Sequence, residues 1–136
     1  MAFLTWKESY DTGFSAYDQQ HQTLFRLANR LQEILDHPGS GTGQDIAPVY
    51  VAFLELTRSH VRTEDELMRW AGYEPADHHD EAHLQFVELL VNAQHDNNLR
   101  PLLQAALYKF KAHFESEEEQ AFLALLRTKH YPETGT

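Results

Sequence analysis

The sequence predicts an all-α protein, an up-down-up-down four-helix bundle preceded by an N-terminal aromatic arm. Apolar residues recur at alternating three- and four-residue steps through four long segments, which is the period of an amphipathic helix. Short stretches rich in glycine, proline or asparagine separate these segments, and short connections place consecutive helices antiparallel. The 136 residues suit a single domain, so we expect one unit over 1–136.

The arm covers residues 1–17 and shows no sustained helical period. Its aromatic residues are Phe3, Trp6, Tyr10, Phe14 and Tyr17. We expect this segment to pack across the bundle as a strap. The first helix is predicted over 18–36, with Asp18 as its N-cap, because a carboxylate there accepts hydrogen bonds from free backbone N–H groups.

Three further helices follow, each bounded by residues that break helices. The second is predicted over 45–71, after the glycine-rich stretch 38–43 and before Gly72, with Pro48 tolerated in its first turn. The third is predicted over 77–94, after the turn at 73–75. The fourth is predicted over 100–129, after the polar loop 95–98.

Composition excludes several classes of partner. Cysteine is absent, which excludes disulfides, thiolate zinc sites and iron–sulfur ligation. The net charge of −10 makes nucleic acid and anionic membrane surfaces poor partners. No apolar run reaches membrane-spanning length and the first residues lack the features of a secretory signal. We therefore expect a cytoplasmic protein with no membrane association, and a monomer, since no clear apolar patch marks an exposed face.

Histidine and glutamate residues occupy positions in the apolar stripes where core residues are expected. They are His21 on the first helix, His60 and Glu64 on the second, His79 and His83 on the third, and His113 and Glu117 on the fourth. Residues four apart lie on one helix face, and imidazole and carboxylate are metal ligands. In an antiparallel bundle all these positions fall towards the same end. The sequence therefore predicts one shared site.

The energetics of burial favour metal ions in that site. Imidazoles and carboxylates in a dry core are costly unless they are paired or neutralised. This set holds more donors than one tetrahedral ion accepts. Two ions bridged by the two carboxylates, with histidines as terminal ligands, use every donor and leave one position open. Without thiolates, such a centre suits iron, manganese or zinc.

The order and spacing of these motifs resemble the bacterial hemerythrin (bacteriohemerythrin) family over essentially the whole chain. The matching motifs are Asp18-Gln-Gln-His21, His60-x-x-x-Glu64 followed by Leu67-Met68, Tyr73-Glu-Pro75, and His79-x-x-x-His83. The resemblance implies two iron ions (Fe2+ or Fe3+), an oxo or hydroxo bridge, and dioxygen as the ligand. By that resemblance, one iron is held by His79, His83 and His113. The second is held by His21 and His60, and it keeps the open position for dioxygen. Glu64 and a carboxylate of the last helix bridge the pair.

The last helix departs from the family pattern. Oxygen-carrying members usually have an aspartate five residues after the final histidine, where this chain has Glu118. The wider hemerythrin-like superfamily has His-x-x-x-Glu on this helix, which His113 and Glu117 fit. We therefore prefer Glu117 as the bridging carboxylate and keep Glu118 as the alternative.

The resemblance also bears on the oxygen pocket and the function. Lys109 stands where the family often has tryptophan, so Phe110 and Phe114 would line the pocket. The polar residues on the stripes are all used as ligands, which leaves no acid or base for catalysis and favours reversible dioxygen binding for carriage, storage or sensing. The alternative is a di-iron redox enzyme: a peroxidase, an oxidase or a nitric-oxide-handling protein. A signalling module is less favoured, because we expect no output domain after the last helix.

Overall fold

The computed structural model describes residues 3–37, 43–73, 76–94 and 99–129, and over these ranges it contains helices and no strands. A 3-10 turn at Glu8–Tyr10 precedes the helices, which are α1 (Ser15–Asp36), α2 (Gly43–Ala71), α3 (Ala76–Gln94), α4 (Leu99–Phe114) and α5 (Glu117–Arg127). None of the helices in these ranges combines the length and apolar character needed to cross a membrane.

Neighbouring helices run antiparallel. Within each pair of neighbours, as the residue number rises along one helix, the number of the residue that it contacts falls along the other. The contacts are Tyr17–Glu64 and His21–His60 between α1 and α2, Tyr50–Leu90 and Glu64–His83 between α2 and α3, Phe86–Phe110 and His83–His113 between α3 and α4, and His21–Phe114 and Gln32–Gln104 between α1 and α4. The predicted all-α, up-down-up-down bundle is confirmed.

The two ends of the bundle differ in what they bury. Apolar side chains fill most of the interior, and the fully buried ones include Leu24, Leu31, Phe53, Leu90, Leu103 and Leu107. Each such side chain contributes about 1.5–3 kcal/mol through its removal from water. The other end buries polar groups among its core residues, namely His21, His60, Glu64, His83 and Glu119. The apolar core, which also includes Met68 and Phe122 beside these polar groups, therefore supports side chains whose burial is costly.

The start of α1 differs from the prediction. The helix begins at Ser15 with Phe14 as the N-cap residue, so Asp18 lies inside the first turn. The Asp18 carboxylate instead accepts hydrogen bonds from the backbone N–H groups of Thr12 (3.0 Å) and Gly13 (3.1 Å). Gly13 has a φ of 88°, a left-handed conformation that favours glycine, and the turn there brings both N–H groups to the carboxylate. Asp18 thus fixes the segment before the helix.

The predicted fourth helix is two helices. α4 ends at Phe114 and α5 begins at Glu117, with Ser116 between them in an extended conformation. The Ser116 hydroxyl donates to the carbonyl of His113 at 2.7 Å and accepts from the backbone N–H of Glu119 at 3.1 Å. Ser116 therefore closes one helix and caps the next. This break changes which residues after His113 face the interior.

Replacing Asp18 tests the role of its carboxylate. Asp18→Ala should lower the free energy of unfolding by about 1–3 kcal/mol, because the buried N–H of Thr12 loses its acceptor. Denaturant unfolding followed by circular dichroism measures the change. Glu33→Ala removes an exposed carboxylate from the same helix and should change stability by less than about 0.5 kcal/mol. Equal losses in the two variants would contradict this account of Asp18.

Candidate metal centre

Histidine and glutamate side chains from α1 to α5 converge at the polar end of the bundle. Their ligand atoms form two groups, and within each group these atoms lie within 4.8 Å of one another. The first group is His21, His60 and Glu64, and the second is Glu64, His83, His113 and Glu119. Glu64 belongs to both groups. A single carboxylate therefore joins two sets of donors, which is the arrangement that two bridged ions require.

The two oxygens of Glu64 face different groups. Oε1 lies 3.0 Å from Nε2 of His83, in the second group. Oε2 lies 3.6 Å from Nε2 of His60 and 3.9 Å from Nε2 of His21, in the first group. Because α2 is an uninterrupted helix here, His60 and Glu64 are one turn apart and project to the same side. The carboxylate is thus aligned between the groups.

Glu119, rather than Glu117 or Glu118, stands at the centre. The Glu119 side chain is 1% exposed, and its Oε1 lies 3.1 Å from Nε2 of His113. The Glu117 side chain is exposed, and Glu118 is half-buried and belongs to neither ligand group. The structure therefore does not support the expected Glu117 or its alternative Glu118. The reason is the helix break, because α5 starts a new register after His113.

One sequence signal could have found Glu119. Serine followed three residues later by glutamate is typical of a helix start, and Ser116 and Glu119 have this spacing. Placing a helix start there moves the inward face of the last segment from Glu117 to Glu119. The helix predicted over 100–129 continues through this acidic run without a break, and Glu119 was therefore not predicted as a ligand.

The surroundings of His21 indicate whether the site suits a metal ion. Its ring is fully buried, and neither Nδ1 nor Nε2 has a hydrogen-bond partner. Burial, with a further contribution from neighbouring His60, lowers the pKa of His21 to about 4, although Glu64 opposes the shift. The ring is therefore neutral at ordinary pH and keeps a lone pair for a cation. A buried polar ring without partners is costly, and a bound metal ion would remove that cost.

Two other histidines have partners that suit metal ligation. Nδ1 of His60 lies 3.1 Å from Oε1 of Gln20, and Nδ1 of His83 lies 3.3 Å from Oδ1 of Asp65. In each ring this contact leaves Nε2 directed at Glu64. Metal-bound histidines usually donate a hydrogen bond from the N–H of their second ring nitrogen to such an oxygen, which fixes the ring orientation. The contacts of His60 and His83 therefore fit the proposed role.

The two buried carboxylates have opposite electrostatic surroundings. Burial raises the pKa of Glu64, but the imidazoles of His21, His60 and His83 together outweigh it, so the pKa lies well below the usual value. Burial, followed by the nearby Glu64 charge, raises the pKa of Glu119 well above its usual value. Two carboxylates this close repel each other in a dry site. A divalent or trivalent cation between them would relieve that repulsion.

Tyr17, which was predicted only as part of the aromatic arm, is a further residue of the site. Its hydroxyl donates a hydrogen bond to Oε2 of Glu64. Its ring is stacked on His60, with the ring centroids 5.2 Å apart and an interplanar angle of 15°. Burial and then the charge of Glu64 raise the pKa of Tyr17 well above the ordinary value. The phenol therefore stays protonated and remains a donor.

The remaining predicted ligand is His79. It lies in α3 one turn before His83. Its side chain is outside the part of the chain that the structure describes, so its role as a ligand stays a prediction.

A small cavity of about 20 Å³ lies among the ligand groups. Its apolar lining includes Leu24, Phe86 and the two expected pocket residues Phe110 and Phe114. A volume of this size holds about one water-sized molecule. It suits a small ligand and excludes organic substrates of ordinary size.

A second opening adjoins the centre on the side of His113. It measures about 110 Å³ and is lined by His83, Gln85, Phe86, Lys109 and His113. The His113 side chain is 30% exposed, whereas His21 is fully buried. The two ligand groups therefore differ in their access to water.

Comparison with known proteins gives a family match over most of the chain. Residues 12–130 match the family model described as the hemerythrin HHE cation binding domain. The chain is 30% identical to a bacteriohemerythrin of Pseudomonas aeruginosa over 87 residues, which are 64% of this chain and 55% of that protein. It is 31% identical to a bacteriohemerythrin of Stenotrophomonas maltophilia over 90 residues, 65% of this chain and 56% of that protein. The chain thus spans about half the length of these relatives.

A shorter relative is covered almost completely. The chain is 21% identical to a bacteriohemerythrin of Clostridium acetobutylicum over 123 residues, which are 85% of this chain and 95% of that protein. No solved structure matches the chain.

Glutamine substitutions at Glu119 and Glu117 test which of the two carboxylates binds the metal. Glu119→Gln should weaken binding of a divalent metal by more than about tenfold, because even partners that only orient ligands change affinity by about 10–100-fold. Calorimetric titration of chelator-treated protein with Co2+ measures this. Glu117→Gln is the matched control, and its exposed side chain predicts unchanged affinity.

The same pair of variants should differ in stability without metal. In the absence of metal, Glu119→Gln should be at least as stable as the unaltered chain, because it removes one of two adjacent buried carboxylates. Weaker binding by the Glu117 variant alone would contradict the assignment of Glu119.

Proposed function

Because this chain belongs to the hemerythrin family, we propose that its buried histidine–glutamate centre holds two iron ions and binds dioxygen reversibly. Iron would supply the electrons and the coordination position that dioxygen needs. One ion would be held by His21 and His60, the other by His79, His83 and His113, and both would be bridged by Glu64 and Glu119.

The observation that carries this proposal is the position of Glu64 between the two groups. One oxygen faces His83 and the other faces His60 and His21. A site for a single ion does not need a carboxylate shared in this way. The donors are imidazoles and carboxylates without thiolates, which suits iron among the common metals.

The cavity supports binding rather than turnover of a larger substrate. The titratable residues that line it all belong to the two ligand groups. Among the described residues, no separate acid or base therefore faces the bound ligand, and general acid–base catalysis lacks a participant. Thr57 and apolar side chains such as Phe110 and Phe114 complete the lining, and the apolar ones would limit the access of water. These features favour carriage, storage or sensing of dioxygen.

Repeated oxygenation tests the proposal directly. Protein loaded anaerobically with Fe2+ should contain two iron ions per chain and develop a visible absorption band when dioxygen is added. Argon should remove the band over several cycles, because the apolar pocket limits irreversible oxidation. Absorption spectra and iron analysis provide the measurement, and Zn2+-loaded protein is the control that should show no band. Complete conversion to ferric protein in the first cycle would contradict reversible binding.

A second candidate function is a redox enzyme acting on a small substrate such as peroxide or nitric oxide. The observation that favours it is the opening beside His113, which reaches the second ligand group from the surface. Lys109 lines this opening in a protein whose net charge is −10. A cation at the mouth would raise the local concentration of small anions, whereas hydrogen peroxide and nitric oxide are neutral and would enter without that attraction. Peroxide turnover well above that of free iron would support this function.

Charge removal at Lys109 tests whether the opening admits small anions. Lys109→Gln should slow azide binding to the oxidised, iron-loaded protein by about twofold to threefold at low ionic strength, the effect of one unscreened charge several ångströms away. Stopped-flow absorption measures the rate, and added salt should remove the difference. Lys111→Gln is the control, because Nζ of Lys111 pairs with Glu115 at 2.9 Å and does not line the opening. Equal effects of both substitutions would argue against a route past Lys109.

A further inference from the structure

We propose that Tyr17 is a positioning residue that holds the Glu64 carboxylate in its bridging orientation, and this rests on the proposed dinuclear centre. The Tyr17 hydroxyl donates to Oε2 of Glu64. Oε2 is the oxygen that faces His60 and His21, whereas Oε1 faces His83. The hydrogen bond therefore acts on the side of the carboxylate that serves the first ligand group.

The Tyr17 ring is held firmly in place. It is 1% exposed, and its centroid lies 4.4 Å from that of His21 and 5.2 Å from that of His60. Phe122 of α5 contacts it from another side, with centroids 6.5 Å apart. A phenol enclosed in this way cannot move its oxygen away from Glu64 without displacing the histidines. The direction of its hydrogen bond to Glu64 is therefore fixed by packing.

A fixed donor limits the positions that the carboxylate can take. Each carboxylate oxygen has two acceptor sites, so Oε2 can accept from Tyr17 and still offer a lone pair to a cation. Without the donor, the Glu64 carboxylate could turn about its side-chain bonds, and Oε2 would then no longer face His60 and His21. The phenol would thus keep one oxygen available to each group.

The first group depends most on this restraint. In the proposed centre this group has two histidines, His21 and His60, whereas the second group has His83 and His113 together with the predicted ligand His79. The loss of a correctly oriented Glu64 removes a larger share of the donors from the smaller group. The two metal sites should therefore respond unequally to a change at Tyr17.

A substitution that removes only the hydroxyl tests this inference. Tyr17→Phe should weaken the binding of one of two Co2+ ions by about 10- to 100-fold and leave the other nearly unchanged. Calorimetric titration of chelator-treated protein with Co2+ gives both affinities, and the visible Co2+ spectrum should change only for the weakened site. Tyr50→Phe is the matched control. Tyr50 is also buried, but its hydroxyl donates to the carbonyl of Leu90, away from the centre.

The outcomes separate this inference from the proposed function. If the unaltered chain binds two Co2+ ions and Tyr17→Phe leaves the ratio of their affinities unchanged, the positioning role is wrong and the dinuclear centre stands. If the unaltered chain binds fewer than two ions, both proposals fail. A general loss of stability should also occur in Tyr50→Phe, and it would not lower the affinity of one site more than that of the other.

A second measurement covers the case in which Tyr17→Phe does not fold. In the unaltered chain with 13Cζ-labelled tyrosine, adding Zn2+ should shift the resonance of Tyr17, because Zn2+ withdraws charge from the oxygen that accepts its hydrogen bond. The resonance of Tyr50 should not move. A Tyr17 signal that stays unchanged as both sites fill would overturn the proposal.

Discussion

The buried carboxylate of Glu64 is the constraint around which the polar end of this bundle is organised. It is 1% exposed, and removing such a charge from water costs several kcal/mol unless other groups compensate. His60, on the same helix, offsets part of this cost. Tyr17 of α1 and His83 of α3 also contact the carboxylate and offset a further part. The contacts of Tyr17 and His83 require that one face of α1 and one face of α3 be turned towards Glu64. The site and the bundle geometry therefore depend on each other.

Apolar and polar side chains of the core contribute oppositely to the stability of the fold. Buried apolar side chains, such as Leu31 and Leu103 at the far end and Met68 and Phe122 near the polar groups, supply the stability that a polar core cannot. The polar end buries His21 without hydrogen bonds and places Glu119 close to Glu64, both of which oppose folding when no cation is bound. A cation that binds only the folded chain would offset those costs by mass action. Metal binding and folding are therefore expected to be coupled in this protein.

The sequence predicted the parts of the site that depend on continuous helices. His60 and Glu64 meet because α2 keeps its period without interruption, and the antiparallel order brings His83 to the same level. Glu119 was missed because the break at Ser116 is a local choice between continuing one helix and capping another, and its hydrogen bonds decide it. Tyr17 was missed for a related reason: a helix start at Asp18 excludes it, whereas a start at Ser15 places it one turn before His21. Both residues were missed because the predicted helix ends were misplaced, and not because the helical period was misread.

The unequal burial of the two ligand groups bears on which ion would meet dioxygen. His21 is sealed from solvent and its ring packs against Phe114, with centroids 4.9 Å apart. His113, in the other group, faces the opening lined by Lys109. A reversible adduct needs a dry surface, since water and protons promote irreversible oxidation. The His21 side meets that need among the described residues, and this agrees with the open position that the family resemblance assigns to the ion held by His21 and His60. Under the proposed function, the same asymmetry would make the His113 side the route by which protons and anions reach the centre, and the balance between carriage and redox chemistry would depend on how well that side is closed.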